Sequence, residues 1–168
     1  MWKNILVPHD FSPCADRALL LAVELARVHR AGLSILHVSD LPENLARDAI
    51  VLPPGERSAL PATEHATRGA LRRLEQIAGP LRSEGLSVLT RAVTGDVADE
   101  ILGAAQDLGA DALVVGTHGR AGLSHLLLGS VAEKLVRHAP VPVVTLRSPS
   151  PEAEPTREER DAEDELAG

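Results

Sequence analysis

Short apolar runs alternate with longer segments of helical period over most of this chain, and that alternation limits the possible folds more than any other feature. Ile5-Leu6-Val7, Leu33 to Val38, Leu86 to Val93, Ala112 to Val115 and Val141 to Leu146 read as five strands. Helical segments separate them, and between the second and third a looser connection precedes the helix. Strands that alternate with helices build βαβ units around a parallel sheet, so the fold class is α/β. Ala112 to Val115 is wholly apolar, as a central strand covered on both faces must be.

Local signals set the ends of the helices. Ser12 followed by Pro13 reads as an N-cap with proline at the first helical position, Leu21, Leu25 and Val28 mark one helical face, and Gly32 is expected to stop the helix. From Ser39 to Ala62 the periodicity is lost and Pro42, Pro53, Pro54 and Pro61 punctuate a long surface connection, with a short helical turn near Leu45. Ala70, Leu74, Ile77 and Leu81 resume helical spacing, Gly79-Pro80 should weaken the last turn, and Gly85 ends it. Asp96 reads as an N-cap with Asp99 and Glu100 in the first turn, followed by the amphipathic stripe Val97, Ile101, Ala104, Ala105, Leu108 and a stop at Gly109. A last helix spans about Ser130 to His138 and leads through Pro140 and Pro142 to the fifth strand.

Composition narrows the function. With one Trp (Trp2), one Phe (Phe11) and no Tyr, the core is aliphatic and base stacking on aromatic platforms is excluded as a binding mode. From Pro149 onward eight acidic residues face only Arg157 and Arg160, so the tail carries −6 of a net −7. A near-neutral body with an acidic tail exerts no pull on nucleic acid or anionic lipid, and neither is expected as a partner. Met1 to Val7 runs straight into a strand without the pattern of a signal peptide, and no window approaches eighteen uninterrupted apolar residues. With the single Cys14, this leads us to expect a cytoplasmic location. The expected organisation is one domain over 1–147 and a disordered acidic tail over 148–168.

The chemistry concentrates after the fourth strand, in Gly116-Thr117-His118-Gly119-Arg120-Ala121-Gly122 and onward to Gly129-Ser130-Val131. In open α/β sheets ligands bind at the carboxyl ends of the strands, where this segment lies. Gly116 and Gly119 permit close backbone approach to a phosphate, Arg120 offers a charged clamp, and Gly129-Ser130 stands at the mouth of a helix whose free amides favour an anion. Ordinary connecting turns, with Ser130 and Glu133 as a Ser-x-x-Glu capping box, account for the same residues.

Taken as a whole, Gly116-x2-Gly119-x9-Gly129-Ser130 resembles the nucleotide-binding signature of the ATP-binding branch of the universal stress protein family. Ile5-Leu6-Val7-Pro8-His9-Asp10-Phe11-Ser12, His37-Val38, Thr94-Gly95-Asp96-Val97 and Ala139-Pro140-Val141-Pro142-Val143-Val144 are similar to that family too, and the likeness covers Trp2 to Arg147. It implies a Rossmann-like, open five-stranded parallel sheet in the order 3-2-1-4-5 with helices on both faces. It further implies an ATP site in which Asp10 takes the ribose hydroxyls and the backbone at Pro8 and Val38 lines the adenine. Gly116, Gly119, Gly129, Ser130 and Val131 would hold the phosphates, with Arg120 beside them. A homodimer through Val141 to Leu146, the expected edge strand, accords with the family and with a run apolar on both faces. Asp10 also has a plainer reading, ordering the turn before Ser12.

Other chemistries find less support. No two of the seven histidines have ligand spacing with a further carboxylate or thiol, so His118 and His125 read as loop residues, and any metal is expected to be Mg²⁺ carried on the phosphates. His9 receives no catalytic role, and Cys14 reads as a small packed residue. Ser124 lacks the frame of a nucleophile elbow, and neither a P-loop nor a Gly-x-Gly-x-x-Gly turn is present. The expected function is an ATP-binding regulatory module. The alternatives are a slow ATP hydrolase or phosphoryl transferase, for which no general base stands out, and a dimeric interaction protein indifferent to nucleotide.

Overall fold

Strand β1 (Asn4–Pro8), whose Ile5, Leu6 and Val7 are fully buried, and strand β6 (Ala112–Gly116) pair in parallel at the centre of the sheet in the computed structural model, which describes residues 1–40, 49–52, 59–117 and 129–147. Beyond β1 lie β2 (Gly32–Ser39) and β5 (Val88–Thr94), and beyond β6 lies β7 (Val143–Leu146). All pairs are parallel, and the order β5-β2-β1-β6-β7 is the 3-2-1-4-5 order implied by the family likeness. The long connection contributes two further two-residue strands, β3 (Ile50–Val51) and β4 (Leu60–Pro61), paired antiparallel to each other. The expected helical turn near Leu45 and the acidic tail lie outside the described residues.

Strand alternation divides the core into two layers. Ile5, Val7, Leu33, Ile35 and Val114 face α1 (Pro13–His29) and α2 (Ala62–Ser83), meeting Ala18, Ala22, Leu74 and Ala78. Leu6, Leu36, Leu113 and Val115 face α3 (Val97–Asp107) and α4 (Ser130–His138), meeting Ile101, Ala104 and Leu135. None of the helices among the described residues is long and apolar enough to cross a membrane.

Helix α1 starts as its sequence dictates, with Ser12 Oγ accepting from the Ala15 amide at 3.2 Å and Pro13 in the first turn. Its inner face differs from the expected stripe. Ala15, Ala18, Leu19, Ala22, Val23 and Ala26 are buried, Leu21 and Leu25 only flank the core, and Val28 is 79% exposed. Small alanines let the helix approach the sheet closely, and the larger leucines fit beside that contact. Gly32 does not stop the helix either. Arg30 takes the left-handed conformation (φ 57°, ψ 39°) and the Ala31 amide reaches back to the Ala26 carbonyl at 2.9 Å, while Gly32 already pairs with Lys3 as the first residue of β2.

Helix α2 begins well before the expected stripe, directly after β4, and continues through Pro80 to Ser83 before Gly85 (φ +90°) turns the chain. Helix α3 follows its sequence closely. Asp96 accepts from the Asp99 amide at 2.9 Å, Ile101, Ala104 and Ala105 are buried, and Gly109 (φ +58°) ends it. The last strand starts at Val143, two residues later than expected, because Pro142 has no amide to give the ladder, although its carbonyl accepts from Leu113 at 2.9 Å.

The left-handed Arg30 gives a direct check of this C-cap. A side-chain-bearing residue in that conformation costs about 1 kcal/mol relative to glycine. Arg30→Gly should therefore raise stability by about 0.5–1 kcal/mol in denaturant unfolding. A loss instead would mean that the arginine side chain contributes more than its backbone conformation costs.

Candidate functional site

Because the five long strands run the same way, their carboxyl ends share one rim, and the sequence-derived site residues that the structure describes lie along it. The centre of the rim is the turn from β1 to α1. The His9 amide prolongs the ladder by donating to the Leu36 carbonyl at 2.8 Å, and Pro8 lies opposite Leu36 in register. Asp10 Oδ1 accepts from the Ser12 amide at 3.0 Å, so the turn-ordering role weighed for Asp10 is present and fixes the carboxylate beside the start of α1. Val38, half-buried, is the last residue but one of the neighbouring β2, and the Gly95 amide after β5 donates to the Ser39 carbonyl at 3.2 Å.

On the other side of β1 the chain leaves β6 at Gly116 and returns at Gly129, whose amide donates to the Thr117 carbonyl at 2.9 Å. Both glycines have packing reasons that the sequence did not reveal. A Cβ on Gly116 would stand 2.7 Å from Cys14 Sγ, and one on Gly129 would stand 2.7 Å from the Thr117 carbonyl oxygen. Cys14 is buried in the first turn of α1, as a packed residue should be, with its thiol 3.6 Å from the Leu146 carbonyl. Gly119, Arg120, His118, Ser124 and His125 fall in 118–128, outside the described residues.

The mouth of α4 corrects the capping-box reading. Gly129 is the N-cap, Ser130 is already helical, and no side chain among the described residues caps this end; the Glu133 amide bonds to the Gly129 carbonyl and its carboxylate pairs with Arg137 at 2.9 Å. Its neighbours differ, since Ser12 caps α1 and Asp96 caps α3. Among the described residues no side-chain cap claims the amides of Ser130 and Val131 at this helix N-terminus, an arrangement that suits an anion. Lys134, one turn on, is engaged by Asp99 at 2.8 Å and Asp96 at 3.4 Å, which tie α4 to α3. Those contacts hold Asp96 below the ordinary aspartate value, the Asp99 amide being the main cause. Among the described residues no three His, Cys, Asp or Glu side chains are grouped to hold a metal ion.

One group on the rim escaped the sequence reading. His9 is buried, its Nδ1 accepts from the Phe11 amide at 3.2 Å, and its carbonyl receives His37 Nδ1 at 2.7 Å. Its Nε2 lies 3.1 Å from Asp16 Oδ1, within ion-pair distance, but the carboxylate is out of line for a hydrogen bond. Burial holds the imidazole below the ordinary histidine value, against the pull of Asp16 and Asp10. Phe11 has φ 64°, and its ring lies between His37, with centroids 4.6 Å apart, and the Arg73 guanidinium, 3.7 Å from the ring centre. The available signal was position. His9 continues the 5, 7, 9 alternation of a fully buried strand.

With this geometry in hand, likeness to known proteins becomes informative. The family model described as the universal stress protein family matches residues 1–147. The chain is 31% identical to universal stress protein MJ0577 of Methanocaldococcus jannaschii over 155 residues, covering 88% of this chain and 96% of that protein. The solved structure of the MJ0577 protein superposes with a TM-score of 0.67 at 26% identity, covering 88% of this chain and 97% of that one. Two further solved structures share the fold at lower identity. One is a universal stress protein in complex with cAMP (23% identity, TM-score 0.60, 86% of this chain and 97% of that one), and the other is an Arabidopsis thaliana family protein with AMP bound (22%, 0.59, 92% and 97%).

The contact beneath Gly116 predicts a specific coupling. Gly116→Ala should destabilise the protein by about 1–3 kcal/mol through overpacking. In a Cys14→Ala background the same change should cost less by at least about 0.5 kcal/mol, because the thiol it strikes is gone. Strict additivity in denaturant unfolding would show that the two residues do not press on each other.

Proposed function

The chain belongs to the universal stress protein family, and from that premise we propose that it is an adenine-nucleotide-binding regulatory protein of the stress response. Its conformation or choice of partner follows the bound nucleotide, which we take to be ATP in the cytoplasm. The observation that carries this reading is a convergence on one rim. The mouth of α4 has no side-chain cap among the described residues and adjoins the end of β6, and the turn bearing Asp10 and the end of β2 stand beside it. The cAMP and AMP complexes of proteins with the same fold support it.

In this reading the amides of Ser130 and Val131, the Ser130 hydroxyl and the backbone at Gly116, Gly119 and Gly129 receive the phosphates, with Arg120 as a charged clamp. Asp10 accepts from the ribose hydroxyls in the orientation its turn imposes, and the backbone at Pro8 and Val38 lines the base. Mg²⁺, where present, rides on the phosphates and takes few ligands from the protein. ATP should bind in calorimetry, and Gly119→Val should abolish binding at an unchanged melting temperature, since a β-branched side chain blocks backbone approach. Undiminished affinity in that folded variant would move the phosphates elsewhere.

We propose also that the protein is a homodimer joined along β7. Val143 packs toward α3 and α4, and Val144 and Leu146 toward α1, so the faces of the strand are largely served within one chain. Among the described residues its outer backbone edge has no strand neighbour. The carbonyls of Pro142 and Leu146 accept from Leu113 and Thr117, so by the alternation of a parallel ladder Val143 and Thr145 direct their backbone groups outward. Thr145→Pro removes an outward amide without touching the β6 ladder and should give a monomeric mass in light scattering at micromolar concentration. A fully dimeric variant, or a monomeric parent protein, would exclude this edge.

A further inference from the structure

We propose that His9 is a proton-operated positioning residue: neutral, it holds the Phe11 amide and with it the turn that carries Asp10, and protonated, it releases that amide and turns to Asp16. The effect on binding rests on the nucleotide reading above, and the effect on the turn does not.

A backbone amide can only donate. The Phe11 N–H···Nδ1 bond at 3.2 Å therefore requires an unprotonated Nδ1, which puts the hydrogen of the neutral ring on Nε2. A second proton would have to occupy Nδ1, where it would face the Phe11 N–H and break the bond. That bond supports a bulky residue at φ 64°, a conformation that side-chain-bearing residues adopt only where their surroundings impose it. The next links follow along the turn. Asp10 accepts from the Ser12 amide at 3.0 Å, and Ser12 caps α1 through the Ala15 amide. Asp10 thus sits between two hydrogen bonds of a single turn, and loss of the first loosens its placement.

The alternative partner is already in reach. Asp16 Oδ1 stands 3.1 Å from Nε2 but out of line, leaving a fully buried imidazole nitrogen without an aligned hydrogen bond among the described residues. A small rotation of an imidazolium makes that contact a charge-assisted hydrogen bond. The groups facing His9 oppose one another. Asp16 on α1 and Asp10 in the turn favour the imidazolium, and burial and His37 on β2 disfavour it, with Arg73 of α2 beyond the Phe11 ring. The net effect holds the imidazole below the ordinary histidine value, so the turn is locked at neutral pH and opens only as pH falls through that lowered value. His37 cannot act in this way. Its Nδ1–H donates to the His9 carbonyl in either protonation state.

Amide exchange followed by NMR over a series of pH values from 7.5 down to the lowest at which the protein stays folded tests the proposal, with rates corrected for intrinsic exchange. Phe11 protection should fall about fivefold in the parent protein and hold in His9→Asn, whose Oδ1 supplies a non-titrating acceptor near the place of Nδ1. Asp16→Asn, a change at a 62% exposed side chain, should move the release to lower pH and keeps the test open if His9→Asn does not fold. Protection that does not change with pH in the parent, that falls equally in His9→Asn, or whose midpoint Asp16→Asn leaves in place would overturn the switch. ATP affinity over the same range should fall about fivefold more in the parent than in His9→Asn, the protonation of ATP itself being common to both. Equal losses would sever the turn from binding. ATP binding to neither protein at pH 7.5 would defeat the nucleotide reading alone, because the exchange data still decide the role of His9.

Discussion

Strand β6 is buried on both faces and hydrogen-bonded along both edges, and the rest of the molecule follows from meeting that requirement. Ala112, Leu113 and Val114 have no solvent exposure, and Thr117, just beyond the strand, is still buried. A strand in that position needs a hydrogen-bonded neighbour on each side and a covering layer above and below, and here helices form the layers and both neighbours, β1 and β7, run parallel to it. Parallel neighbours in turn send every strand's carboxyl end to the same rim. The opposite rim is closed by side chains: the Asp111 carboxylate accepts from the Lys3 amide at 2.6 Å and the Asn4 amide at 2.9 Å, and Asn4 bridges to the Leu108 carbonyl and the Ser34 hydroxyl. Those two amides hold Asp111 below the ordinary aspartate value.

The carboxyl rim is finished differently at each helix. Ser12 and Asp96 satisfy the first turns of α1 and α3, while Gly129 brings α4 against Thr117 with no side-chain cap among the described residues. Glycine is needed there for closeness between chain segments, and the uncapped helix mouth results from it. One residue thus meets a packing demand and, in the proposed reading, leaves the following amides to an anion. The same economy holds at Asp10, whose carboxylate orders its own turn while facing the rim.

Features written in local sequence were legible. The caps at Ser12 and Asp96, the stops at Gly85 and Gly109 and the stripe of α3 depend on neighbours within a few residues, and the uninterrupted apolar run of β6 announced its central place. Features that depend on distant contacts were not. The inner face of α1 is set by how closely alanines let it approach β6, which favours small residues over the leucines that hydropathy singles out. Arg30 ends that helix because the chain must turn at once into the Lys3 pairing, and the nearby Gly32 gave a misleading stop. Gly116 owes its lack of a side chain to Cys14, far away in sequence. The burial of His9 follows from a ladder that runs one residue past Pro8, a register visible only once β1 and β2 are paired.

The central claim is that the carboxyl rim, from the Asp10 turn to the mouth of α4, receives an adenine nucleotide. Titrating ATP into isotope-labelled protein and following the backbone amide resonances tests it most directly. The account predicts that Asp10, Val38, Gly129, Ser130 and Val131 shift together with one saturating profile, while Lys3, Asn4 and Asp111 at the opposite rim stay in place. Absence of any shift at millimolar ATP, or shifts confined to the opposite rim, would contradict it.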